Sequence, residues 1–399
     1  MEVMSEEIQF DPRSLKVKRS ALQDMLTEAS RPGRLSFALG LPAAELFPVA
    51  EYSQAIAHVL SAEKHALQYG PPFQPLKEQI VKLMALRGVE CKPEQVFLTT
   101  GAQQGISLLA RLLLYSSKQV IVEEMIYTGF QQVIELYRPE VITVPTSVET
   151  GMEVDVVQSL LESGVRPAFI YAIADGHNPL AVSMSEVKRM RLVELARQYR
   201  VSIIEDDPYG FLYYQKSPLP PLRALEDRWV LYVGSFSKIL APSLRAGWII
   251  VPETLIADLS NIKEASDINT STLNQRAISS YIAAGSLKTH LPMLRNEYRV
   301  RRDAMLRALD QYFPSTSRWQ EPIGGLFIWV EAPREVDTSK ALKIALETER
   351  IAFIPGQAFC VNDGCQASHC MRLNFSNSSV ESIEEGIARL ARVLSRAAR

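Results

Sequence analysis

Val230-Leu231-Tyr232-Val233-Gly234-Ser235-Phe236-Ser237-Lys238, followed closely by Leu244-Arg245-Ala246-Gly247-Trp248, is the stretch that decides the fold. Val230 to Val233 is short, apolar and uncharged, the composition of a strand buried on both faces. It ends at a glycine and opens into two hydroxyls, a lysine and, a little further on, an arginine. Ligands of open α/β sheets bind beyond the carboxyl ends of the strands. Ser235 and Ser237 offer hydroxyl donors, and the planar fork of Arg245 suits a phosphate. Lys238 lies between them. An amine desolvated near other cations has a lowered pKa and can attack a carbonyl. A Ser-x-x-Lys run alone is weak evidence. It also occurs in penicillin-binding enzymes, whose other motifs are missing here.

Working outward, the same pattern recurs. Val96-Phe97-Leu98, Val120-Ile121-Val122, Ala168-Phe169-Ile170-Tyr171 and Val201-Ser202-Ile203-Ile204 read as further buried strands. Helical spacing separates several of them. Ile106, Leu109, Leu112 and Leu113 share one face, and Val187, Met190, Leu192 and Leu195 suggest another. This alternation predicts an α/β domain with a largely parallel sheet. Two more strand ends carry polar turns. Glu205-Asp206-Asp207-Pro208-Tyr209 follows one, and Thr100-Gly101-Ala102-Gln103-Gln104-Gly105 follows another. Gly101-Ala102-Gln103 opens a helix whose free N–H groups suit a phosphate. Asp206 could keep a pyridine nitrogen protonated.

The last third changes character. A polar helical stretch from Leu287 to Tyr312 leads into Gly324-Gly325-Leu326-Phe327-Ile328-Trp329-Val330, a strand of a second, smaller lobe. Val380 to Arg399 reads as an amphipathic helix. No Gly/Ser linker separates the lobes. Their expected limits are 1–48 for an N-terminal arm joined to the small lobe, 49–285 for the large domain and 286–399 for the small domain.

A net charge of −2 over 399 residues favours neither nucleic acid nor an anionic membrane as partner. The stretch from Met1 to Arg19 lacks the apolar run of a signal peptide. No segment approaches the ~18 apolar residues of a membrane span. A cytoplasmic protein is therefore expected. Cys360, Cys365 and Cys370 cluster beside His369, but without the close pairing of zinc ligands. They are read as reduced thiols in a loop, with no metal.

Taken together and in this order, the motifs resemble the class I and II aminotransferases, enzymes of fold type I that depend on pyridoxal 5′-phosphate (PLP). The branch most resembled contains aminoadipate and kynurenine aminotransferases and the catalytic domains of MocR-type regulators. The resemblance runs from about Ser36 to Phe375. It implies a large domain with a mostly parallel seven-stranded sheet plus a smaller α+β domain. It implies that Lys238 holds the cofactor as a Schiff base. Ser235, Ser237, Arg245 and the turn Gly101, Ala102 and Gln103 would bind its phosphate. Asp206 would meet the pyridine nitrogen, Tyr209 and Asn178 the ring hydroxyl, and Tyr127 the ring face. Met371-Arg372-Leu373-Asn374-Phe375-Ser376 resembles the segment whose arginine clamps the substrate α-carboxylate, here Arg372. Gly40 resembles a backbone contact to substrate. Tyr69, in Gln68-Tyr69-Gly70, resembles the residue that reaches the partner subunit's phosphate in a homodimer with shared sites.

The chain departs from this pattern around Asn178. The usual Asn-Pro-Thr-Gly is Asn178-Pro179-Leu180-Ala181, preceded by Ala174-Asp175-Gly176-His177. Gly176 is expected to make room beside the cofactor. His177 is a candidate acid or base that titrates near neutral pH, or else a capping group of the loop together with Asp175. The expected reaction is transfer of an amino group from an amino acid to a 2-oxo acid. The motifs are shared by PLP enzymes that eliminate, substitute or oxidise instead, and the altered loop keeps that alternative open. A PLP-binding sensor is a further alternative. It is disfavoured because only ~35 residues precede the match, fewer than a winged helix needs.

Overall fold

The computed structural model describes residues 33–114, 119–214, 218–362 and 364–397. The expected N-terminal arm up to residue 32, with its polar stretch from Met1 to Arg19, lies outside them, as do Ala398 and Arg399.

Seven strands form the main sheet: β1 (Val96–Thr99), β2 (Gln119–Glu123), β3 (Glu140–Val144), β4 (Phe169–Ala172), β5 (Ser202–Asp206), β6 (Val230–Ser235) and β7 (Gly247–Ile250). Their order is β1-β7-β6-β5-β4-β2-β3. β7 runs antiparallel to both neighbours, while the remaining pairs are parallel. Because β7 reverses, β1 keeps the direction of β6. The carboxyl ends of β1, β5 and β6 therefore open on one edge, as the three polar turns predict. β1, β2, β4, β5 and β6 are the strands anticipated from their apolar runs. β3 gives no such signal because its first residues are only partly buried. β7 is visible in the sequence only as the second half of the lysine motif.

Pairing explains that motif's glycine. Trp248 of β7 stands opposite Gly234 of β6. A Cβ on Gly234 would lie 2.3 Å from the Trp248 indole. The ring is fully buried.

The helix Ala102–Leu113 packs Ile106 and Leu109 inward as expected. The helix Glu186–Tyr199 corrects the stripe proposed for it. Leu192 and Leu195 are buried as expected, but Val187 and Met190 are exposed, and the inward stripe is Arg189, Leu192, Val193 and Ala196. These stand at i, i+3, i+4 and i+7, so the inward face begins on a charged residue.

The small lobe carries β8 (Arg318–Trp319), β9 (Phe327–Glu331), β10 (Ile354–Pro355) and β11 (Cys370–Asn374), ordered β8-β9-β11-β10 and antiparallel throughout. The helices Ser286–Tyr312 and Val380–Ala397 pack together beside it. Leu35–Ser36 pairs in parallel with Ile351–Ala352. Phe37 donates to Ala352 O at 2.8 Å and accepts from Asn374 N at 2.8 Å. The segment leading to Gly40 is thereby laid along the small lobe. One hydrophobic core joins Leu98 and Trp248 of the main sheet to Leu309 and Leu373 of the small lobe.

Cys360 and Cys365 form a disulfide, which corrects the expectation of reduced thiols. A turn brings their Cα atoms to 5.7 Å, within bridging range. Cys91 and Cys370 are free.

Candidate active site

A cavity of about 300 Å³ lies at the carboxyl edge of the main sheet, against the small lobe. Lys238 stands in it, just past the end of β6. Its Nζ donates to Gly40 O at 2.7 Å. Burial, with Arg372 and Arg245 nearby, lowers the ammonium pKa to about 8. A useful fraction of free amine therefore exists near neutral pH.

Strand alternation separates the three acids at the end of β5. Glu205 accepts from the N–H groups of Leu222 and Arg223 and caps a short helix. Asp207 accepts from Gly210 N at 2.7 Å and from Tyr232 Oη at 3.0 Å. Only Asp206 lines the cavity. Tyr171 donates to its Oδ2 at 2.6 Å, while Oδ1 is buried with no hydrogen-bond partner among the described residues. Burial pushes Asp206 up to about 7, against the pull of the Tyr171 hydroxyl. Tyr171 is itself stacked on Phe130, ring centroids 3.7 Å apart.

Ala102, Gln103, Ser235, Ser237 and Arg245 gather at another wall. Gly101 lies behind them at φ +85°, and a Cβ there would come within 2.6 Å of the Arg245 guanidinium. Glycine is needed for both the backbone and the close approach. Arg245 donates to Thr100 O at 3.1 Å and Gln103 to Gly129 O at 2.7 Å. Tyr127 and Tyr209 also line the cavity.

The opposite wall comes from the small lobe. Arg372, on β11, is buried and donates to Asn178 Oδ1 at 2.5 Å and to Ala38 O at 2.6 Å. The rings of Phe327 and Phe359 flank its guanidinium at 4.1 and 4.8 Å. No carboxylate pairs with it among the described residues. Burial lowers it to about 10, which Tyr209 and Tyr127 partly offset.

Two expectations are corrected by position. His177 and Asp175 do not line the cavity. His177 is buried with Nε2 3.0 Å from Glu123 Oε2, while Nδ1 accepts from Leu180 N at 3.3 Å. Asp175 pairs with Arg87 at 2.7 Å and Arg189 at 2.6 Å. Both side chains anchor the loop, the second of the two roles considered for them. Gly176 does not widen the cavity. It has φ +58° and packs against Gly325, whose Cα would be 3.2 Å from an added Cβ. Tyr69, expected to act on a partner subunit, is largely exposed and stands outside this chain's own cavity. Sequence reasoning passed over Tyr171, Glu123 and Arg87. The first two sit within apolar strand patterns, and nothing near Arg87 signals its distant partners.

The family described as aminotransferase class I and II matches residues 38–390. This chain belongs to the class I and II aminotransferases. The aminotransferase is 36% identical over 396 residues to aromatic-amino-acid aminotransferase 1 of Thermococcus litoralis, covering 96% of this chain and 94% of that one. It is 34% identical to the 2-aminoadipate transaminase of Thermus thermophilus, covering 95% and 94%. The crystal structure of Pyrococcus horikoshii kynurenine aminotransferase in complex with PMP superimposes with a TM-score of 0.90 at 33% identity, covering 97% of each chain. The enzyme is thus a fold type I, PLP-dependent transferase that acts on amino acids. Elimination or sensing is not favoured.

The residues present fit that cofactor. Asp206 Oδ1 is a buried acceptor lacking a partner among the described residues, as a protonated ring nitrogen requires. Lys238 is a depressed amine in the same cavity. Arg245, two serines and a helix N-terminus line one wall with donors of the kind a phosphate accepts from.

Proposed function

We propose that this cavity transfers the amino group of an apolar or aromatic amino acid to a 2-oxo acid, with Lys238 as the cofactor-linking residue. The observation that carries this reading is Arg372, a buried guanidinium with no carboxylate partner among the described residues, in one cavity with the Lys238 amine. Such a group is complementary to an α-carboxylate. Bound PLP supplies the electron sink and carries the amino group between the two substrates. Arg372 and Asn178 orient the substrate. Nζ of Lys238 would take the proton from the substrate Cα and return it to the cofactor's aldehyde carbon. Asp206 holds a proton on the ring nitrogen, and Tyr209 and Asn178 serve the ring hydroxyl. Tyr127 covers the ring, while Ala102, Gln103, Ser235, Ser237 and Arg245 hold phosphate. Gly101 keeps Arg245 close, and Gly40 O offers a backbone contact.

The side-chain preference follows from the remaining walls, which include Leu39, Leu41, Ile354 and Phe359. The cations lining the cavity among the described residues are Lys238, Arg245 and Arg372, each with a role already. Similarity to the aromatic-amino-acid enzyme supports the same preference.

The exposed Tyr69, beside exposed Leu67, is proposed to reach the phosphate of a second subunit in a homodimer. Of the described residues, 33–48 and 286–397 are grouped as the small lobe in this reading, and those within 49–285 as the large domain. The pairing of Leu35–Ser36 with Ile351–Ala352 supports the first grouping. No helix among the described residues is long and apolar enough to cross a membrane, and a cytoplasmic location is proposed.

The test supplies phenylalanine, leucine, aspartate or 2-aminoadipate with a 2-oxo acid and follows the keto product. Phenylalanine and leucine are expected to have the higher kcat/KM. Preference for the dicarboxylic donors would overturn the substrate class. Absence of any keto acid would overturn the transfer.

A further inference from the structure

Arg87 is a buried arginine outside the cavity, on the turn that follows the helix Gln74–Ala85. It holds two carboxylates from different parts of the chain. Nη2 is 2.7 Å from Asp175 Oδ2, and Nη1 is 3.0 Å from Asp207 Oδ2. Asp175 lies just before Asn178. Asp207 lies between Asp206 and Tyr209. One planar cation therefore spans the loop that carries one proposed ring contact and the strand end that carries two others.

The neighbourhood is shaped around this fork. Gly210 has no room for a side chain, because a Cβ would fall 1.6 Å from Arg87 Nη1. The guanidinium also lies 5.5 Å from the centre of the Phe211 ring. The carboxylates have further supports of their own. Asp207 accepts from Gly210 N and Tyr232 Oη, and Asp175 pairs with Arg189. Arg87 is the shared element of the two sets.

We propose that Arg87 is a positioning residue, whose forked contact with Asp175 and Asp207 sets the placement of Asn178 relative to Asp206 and Tyr209 and so the orientation of the cofactor ring. The proposal rests on the assignment of those three residues to the ring. A lysine at this position would present a single point charge and could not hold both carboxylates in one plane. A misplacement of about 1 Å at a reacting centre costs ~100-fold in rate.

The test compares Arg87→Lys and the charge-balanced pair Arg87→Met with Asp207→Asn, each as holoenzyme. Four quantities are read: the thermal midpoint, the visible circular dichroism of the bound cofactor, kcat and KM. Arg87→Lys is expected to fold, to alter the cofactor dichroism and to lower kcat on the order of 100-fold, with a smaller change in KM. The paired variant should reproduce the dichroic change without leaving an unpaired buried charge. Folded variants with unaltered dichroism and kcat would overturn the proposal. If both variants fail to fold, Arg87 serves the fold and the proposal is likewise overturned. Asp206→Asn is the control. If it leaves the cofactor band unchanged, the assignment of Asp206 fails. If it shifts the band while folded Arg87 variants do not, only the present inference fails.

Discussion

The Tyr171 hydroxyl and the Asp206 carboxylate lie 2.6 Å apart, on the adjacent strands β4 and β5. The bond occupies Oδ2 and leaves Oδ1 for another donor. It also opposes the upward push of burial on the Asp206 pKa. Tyr171→Phe removes the lowering influence, so Asp206 rises further above its usual value. Its carboxylate form is then lost at a higher pH. The acid limb of the kcat profile should move upward, with the largest loss of activity below neutral pH. An unchanged profile would contradict the role given to Asp206.

Arg372 offers a second test. Arg372→Lys keeps a positive charge and loses the planar fork. Charge-assisted bonds are each worth about 1.5–3 kcal/mol, so kcat/KM for the amino acid should fall about 10- to 100-fold. The cofactor absorbance should persist, because the assigned PLP contacts are other groups. Steady-state kinetics beside an absorbance spectrum checks this.

His177 should matter for stability more than for turnover. His177→Ala takes away a close partner of the buried Glu123, which still accepts from the Thr146 hydroxyl at 3.1 Å. An unsatisfied buried group of this kind costs about 1–3 kcal/mol. The double variant Glu123→Ala, His177→Ala should cost less than the sum of its singles. Denaturation of the four proteins measures the coupling. A strictly additive cycle with a large loss of kcat would restore His177 as an acid or base.

Ala181 adopts φ +59°, a left-handed conformation that L-residues other than glycine enter at a cost of roughly 1–2 kcal/mol. The related motif has glycine here, and the backbone explains why. Ala181→Gly should stabilise the protein by about 0.5–1 kcal/mol after the extra entropy of glycine in the unfolded chain is subtracted. A raised denaturant midpoint with an unchanged slope is the expected result.

The lysine turn, the Asp206 strand end and the Gly101 turn were legible because each is a contiguous run ending an apolar strand. Arg372 was legible only through resemblance, since its cavity partners, Asn178 and Phe327, are remote in sequence. The roles of Asp175 and His177 were not settled by residue type. An ionisable side chain next to Asn178 can face the cavity or the core, and strand-end geometry decides which. Arg87, Glu123 and Arg189 hold that loop from behind through long-range ion pairs, for which a linear pattern carries no periodic signal. The same blindness put Val187 and Met190 on the inward face of the helix Glu186–Tyr199, where a buried arginine begins that face instead.

The central claim is that Lys238 carries the cofactor, and borohydride reduction of the holoenzyme followed by peptide mass mapping addresses it most directly. A phosphopyridoxyl group is expected on the peptide that contains Lys238, and no reducible protein link in Lys238→Ala. A label on a different lysine, or a reducible link that survives in Lys238→Ala, would contradict it.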